Sequence, residues 1–108
     1  MTPLIPLAPR DFLVLAVLSD TPLHGYGIVK AVESRGAAGV FLDPANLYRS
    51  LGRMKRDGWI EEVPTERDGR RRTFGLTPTG RSVLSSEVRR LEELLAQVRP
   101  GVARSSDA

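Results

Sequence analysis

At 108 residues, 41% of them apolar and 27% charged, the chain is long enough for one domain with a modest core and too apolar to be disordered. Zero cysteines exclude a disulfide frame and a thiolate metal site, and the one histidine, His24, has no carboxylates spaced around it for zinc. The formal net charge of +3 matters through its distribution: nine of the sixteen basic residues fall between Arg49 and Arg81 against five acids, leaving that segment at +4 and the remainder at −1.

No apolar run approaches the roughly 18 residues of a membrane span, so no membrane partner is expected. The opening MTPLIPLAPR has three prolines and no basic start, which argues against a signal peptide and for a cytoplasmic protein. Residues 1–8 are expected to form an extended arm. Asp11 to Ser19 (DFLVLAVLS) is almost continuously apolar, and its length from Pro9 to Asp20 with Pro9 in the first turn predicts a helix buried on most sides. Thr21 as N-cap and Pro22 at the first helical position predict a second helix from Pro22 to about Arg35, with Tyr26, Ile28, Val29 and Val32 inward. Gly25 and Gly27 each lower its helix propensity by about 1 kcal/mol, which points to close packing against a neighbour.

Asp43 as N-cap and Pro44 behind it open a third helix, which ends at Gly58. Leu47, Leu51 and Met54 form one stripe, and Asn46, Arg49, Arg53 and Arg56 lie opposite. Trp59–Val63 and Arg72–Leu76 read as two strands around an Asp68-Gly69 turn, a hairpin with a cationic tip. Thr77-Pro78 restarts a helix to about Val98. Its apolar residues Leu84, Val88, Leu91, Leu95 and Val98 follow a 4, 3, 4, 3 spacing, an a/d seam.

This order predicts a mainly α fold with a small β-hairpin: a winged helix-turn-helix over residues 9–77, one long C-terminal dimerisation helix over 78–98, and a flexible tail over 99–108. In such a fold the third helix is the recognition element for a DNA major groove. Arg49 and Arg53, one turn apart, are the candidates for bidentate reading of guanine, Asn46 for adenine or phosphate, and Arg56 for phosphate; Ser50 completes the helix's expected DNA-binding set. Tyr48, at the border of that face, either reaches a phosphate or fills a gap between helices. The wing arginines Arg70, Arg71 and Arg72 are expected on phosphates or in the minor groove. The seam of the last helix calls for an apolar partner, either a second copy of the chain or the first helix of the same one.

Trp59 is expected in the core and His24 in a structural or capping role. Gly25-x-Gly27 lacks a third glycine and a preceding predicted strand, so a dinucleotide site fails. Without a phosphate loop or a nucleophile motif, neither an enzyme nor a cofactor is expected.

The segments LHGYGI (Leu23 to Ile28), NLYRSLGRMKRDGWIEE (Asn46 to Glu62) and RRRTFGLTPTGR (Arg70 to Arg81), in this order, closely resemble the PadR family of bacterial transcriptional regulators. The resemblance implies a homodimeric winged-helix repressor on a palindromic operator, its dimer built by the first and last helices. It places the family's recognition-helix tyrosine on Tyr48, its wing basics on Arg70 to Arg72, and its Leu-Thr-x-x-Gly turn on Leu76, Thr77 and Gly80. Two departures stand out. Thr73-Phe74 replaces an aromatic pair common in the family, and the last helix lacks the tryptophans between which some short members bind flat aromatic effectors. The expected partners are thus duplex DNA and a second copy of the chain, with a small-molecule effector left open. The alternative is a winged-helix module that docks an acidic protein or binds DNA without regard to sequence.

Overall fold

The computed structural model describes residues 6–35, 42–64 and 72–106, with side chains as far as 101. Helix α1 (Pro9–Asp20) starts at a proline that presets φ and buries Val14, Leu15, Val17 and Leu18. It also buries one acid, Asp11.

The chain departs from expectation next. Leu23 and His24 form a two-residue strand, β1, and helix α2 (Gly25–Ser34) begins only after them. Thr21 is not its cap: His24 is, its Nδ1 accepting from the Gly27 amide at 3.1 Å. The local cap signal at Thr21-Pro22 yields to long-range pairing, because Leu23 and His24 stand opposite Phe74 and Thr73. A strand does therefore precede the Gly25-x-Gly27 pair, but it is two residues long and antiparallel to its neighbour. Ile28 and Val32 of α2 are buried, whereas Tyr26, expected inward, is 65% exposed.

Helix α3 (Pro44–Arg56) is bounded as its sequence predicts. Asp43 caps its start, its carboxylate accepting the Asn46 amide at 3.1 Å. At its end Gly58 takes φ +79°, the Gly58 amide donates to the Lys55 carbonyl at 3.1 Å and the Trp59 amide to Met54 at 2.9 Å. These two bonds make a Schellman turn, and the left-handed φ is the reason a glycine stands there. Leu47, Leu51 and Met54 are buried as expected.

Strands β2 (Ile60–Val63) and β3 (Thr73–Leu76) pair antiparallel with Ile60 opposite Leu76 and Glu62 opposite Phe74. With β1 they form a three-stranded sheet in the order β1-β3-β2, not the two-stranded wing expected. Helix α4 (Pro78–Ser106) is capped by Thr77, whose hydroxyl accepts from the Gly80 amide at 3.0 Å. It runs past Val98 and through Pro100, where a tail was expected. Proline removes one backbone bond and costs about 3 kcal/mol in a helix interior, but it leaves the flanking turns bonded.

The core gathers α1, Ile28 and Val32 of α2, the α3 stripe, Trp59, Ile60, Phe74 and Val83. Trp59 is a core residue, as expected. The result is a mainly α winged helix in which α3 packs on α2 and β2, and α4 packs on α1 and β3.

Candidate nucleic-acid interface

Burial of Leu47, Leu51 and Met54 in the shared core turns the opposite side of α3 to solvent. Arg49, Arg53 and Arg56 are all exposed there. Among the described residues Arg49 and Arg56 take part in no ion pair, so both guanidinium groups are open to an anionic partner. Asn46 is half-buried, and its side-chain amide donates to the capping carboxylate of Asp43. Ser50, included with this face from sequence, is buried at 7% exposure and points away from it.

Arg53 has a partner that the sequence did not reveal. Its Nη2 donates to Oδ2 of Asp11, a residue of α1 that is only 9% exposed. The one signal for this was an acid at the head of a nearly uninterrupted apolar run, where a buried charge must be paired or destabilise the fold.

Tyr48 is half exposed at the edge of the same face. Its ring lies over Gly25, where a Cβ would come within 2.5 Å of the phenol oxygen. The expected close packing at Gly25 is thus against Tyr48, and the half-exposed tyrosine fills a gap between helices. Gly25, Tyr26, Val29, Leu42, Pro44, Leu47 and Tyr48 line a shallow, mostly apolar cleft of about 260 Å³ between α2 and α3. Tyr26 is stacked on His24 with Lys30 over its ring.

On the wing side, Arg72 donates from Nε to Glu62 at 2.6 Å, and Lys55 of α3 reaches the same carboxylate at 3.3 Å. Glu62 therefore ties α3 to the wing. The Arg72 hydrogen bond, then that of Lys55, holds its carboxyl below the ordinary glutamate range. Arg70 and Arg71 lie outside the described residues.

The seam of α4 divides in two. Its first part faces the chain's own core: Val83 is buried and Leu84 packs against the cluster. Beyond it, Val88, Leu94, Leu95 and Val98 are 39–51% exposed and Leu91 is partly so. Helix α1 thus covers only the start of the stripe. Glu87, a charge on the same helix, is 1% exposed. It accepts the Leu7 amide at 2.8 Å and Arg90 at 2.6 Å, fastening the segment before α1 to α4. No helix among the described residues is long and apolar enough to cross a membrane, and no group of three potential ligands is placed to hold a metal.

Comparison with known proteins agrees with this geometry. The family model described as the Transcriptional regulator PadR-like family matches residues 14–86. Transcriptional regulator Rv3488 of Mycobacterium tuberculosis is 31% identical over 94 residues, 86% of this chain and 85% of that protein. An uncharacterized 37.1 kDa protein in transposon TN4556 of Streptomyces fradiae is 41% identical over 88 residues; the match takes in 82% of this chain but only 24% of that protein. Among solved structures, a PadR family transcription regulator from Clostridium difficile R20291 superposes with a TM-score of 0.65 at 25% identity, over 83% of this chain and 97% of that one.

Proposed function

We infer that this chain, which belongs to the PadR-like family of transcriptional regulators and is a regulator and not an enzyme, represses transcription by binding an inverted-repeat DNA site as a homodimer. The observation that carries the reading is the exposed face of α3, where Arg49, Arg53 and Arg56 stand outward while the opposite stripe is buried. A helix of this kind fits the major groove, and an arginine fork matches O6 and N7 of guanine. Arg49 reads a base; Arg56 and the wing residues Arg70, Arg71 and Arg72 neutralise phosphates and fix the register. Arg72 brings less than a full free charge, because Glu62 already holds it.

The dimer reading rests on the uncovered part of α4. Four apolar side chains at helical spacing, each more than a third exposed, form a stripe that a second copy of the same helix can cover. A twofold axis there sets two α3 helices about 34 Å apart, one turn of DNA, and predicts an inverted repeat. Occupied DNA is closed to polymerase, so repression is steric.

Selection of bound duplexes from a random pool tests this reading as a whole. Enrichment of an inverted repeat with half-sites one turn apart is the expected result. Binding that is weak and indifferent to sequence points instead to an architectural or protein-docking module.

A further inference from the structure

We propose that Asp11 is a positioning residue for DNA recognition: by holding one end of the Arg53 guanidinium it aims the rest of that fork outward and withholds it from indiscriminate phosphate contact. The inference rests on the DNA-binding reading above and assigns a specificity role to a residue of α1, outside the recognition helix.

The pair joins positions 42 apart in sequence, so it is made by the fold and not by α3 alone. Its two ends differ in environment. The Asp11 side chain is 12% exposed and that of Arg53 is 44% exposed. A nearly buried carboxylate is anchored by the packing around it, whereas a solvent-facing arginine otherwise samples many rotamers. The anchored partner therefore dictates where the mobile one stands.

Arginine has five N–H donors in a planar fork. Asp11 engages Nη2 through Oδ2, and the other donors of this partly exposed side chain meet no further partner among the described residues. A fork fixed in advance loses little freedom on meeting a base edge that matches it, so the correct base gains most. The same carboxylate works against the wrong contact. It neutralises part of the charge that would draw Arg53 to any phosphate, and it repels a phosphate that approaches in its place. Arg49 and Arg56 have no ion-pair partner among the described residues and carry the sequence-blind attraction. Asp11 also stands in the first turn of α1, where an acid is favourable to the helix dipole. That role alone predicts a change in folding stability and none in the choice between DNA sequences.

The experiment compares the full chain with Asp11→Asn, Arg53→Ala, the double variant and Arg53→Lys. Each is titrated by fluorescence anisotropy against the duplex selected above and against a scrambled duplex, over a salt series, with thermal melting as the folding control. Asp11→Asn is expected to tighten scrambled-duplex binding several-fold, to steepen its salt slope by about one, and to reduce the selected-to-scrambled ratio about tenfold. In the Arg53→Ala background the same substitution should leave the ratio unchanged. Arg53→Lys keeps the cation without the fork; it should lower the ratio while retaining scrambled-duplex affinity, and it keeps the role open to refutation if Asp11→Asn melts below the assay temperature. A wild-type ratio in folded Asp11→Asn, or in Arg53→Lys, overturns the positioning role while the DNA-binding reading stands. A wild-type protein with no salt-dependent duplex binding overturns both.

Discussion

Gly80 packs directly on the backbone of Trp59: a Cβ at Gly80 would come within 2.9 Å of the Trp59 carbonyl carbon and nearer still to its oxygen. The same carbonyl accepts the Thr77 amide at 3.0 Å, and the Thr77 hydroxyl donates to the Gly58 carbonyl. The Leu76-Thr77-x-x-Gly80 turn is thus a joint that locks the start of α4 onto the end of α3. Because the obstacle is backbone and not a movable side-chain end, Gly80→Ala is expected to destabilise the fold by about 1–3 kcal/mol. Thermal melting should show Tm lower by about 4–8 °C for each kcal/mol, and a variant melting with the wild type would show that the joint yields.

Gly25 makes the opposite case. Its added Cβ would meet the phenol of Tyr48, the far end of a half-exposed side chain. Gly25→Ala should therefore cost little stability, under about 1 kcal/mol, since rotation of Tyr48 relieves the contact. What changes is the position of the Tyr48 hydroxyl, so duplex affinity should fall with Tm nearly unchanged. Equal affinity for operator DNA would place Tyr48 in packing only.

Arg49→Ala removes an unpaired fork from the centre of the α3 face. The expected loss is about 1–3 kcal/mol of discrimination at one base pair in each half-site, whereas Arg56→Ala should weaken all sequences alike and reduce the salt slope by about one. Affinity measured on a panel of single-base operator variants separates the two outcomes; a uniform loss for Arg49→Ala would move it to the phosphate set.

Leu95 is 46% exposed in the single chain, so Leu95→Asp should leave the fold intact. Placed in the uncovered stripe of α4, a charge there is expected to yield monomers and to abolish operator binding at concentrations where the wild type is bound. Sedimentation reads the mass; a wild type that is monomeric at micromolar concentration, or a Leu95→Asp dimer, would remove the stripe from the interface.

Glu87 gives a pH dependence with a definite sign. The Arg90 hydrogen bond, joined by the Leu7 amide and opposed by burial, holds its carboxyl below the ordinary value of 4.5. The folded pKa lies under the unfolded one, so the stabilisation is complete above about pH 4.5 and fades as pH falls through the lower folded value. Glu87→Gln should therefore lower Tm at neutral pH and flatten its decline as pH falls below about 4.5, because the titrating group is gone. An acid-side melting profile parallel to the wild type would show that other carboxylates govern it.

The elements bounded by local chemistry were legible from the chain itself. Asp43, Pro44 and Gly58 delimit α3 because caps and a left-handed glycine act within one turn, and the 3.6-residue period alone separates the buried Leu47, Leu51 and Met54 from the arginines. Periodicity also found the apolar stripe of α4, and the place of Trp59 directly after the Gly58 stop put it in the core. Tertiary structure decided what depends on contacts distant in sequence. Leu23 and His24 are a strand because Phe74 and Thr73 stand opposite them, not because two residues carry a strand signal. Glu87 looks like any charge on a helix until Leu7, eighty positions away, is seen to donate to it. Arg53 differs from Arg49 only through Asp11, since a helical wheel describes one helix and cannot register the carboxylate of another. The basic face was written in local pattern; which of its arginines meets a carboxylate was set by folding.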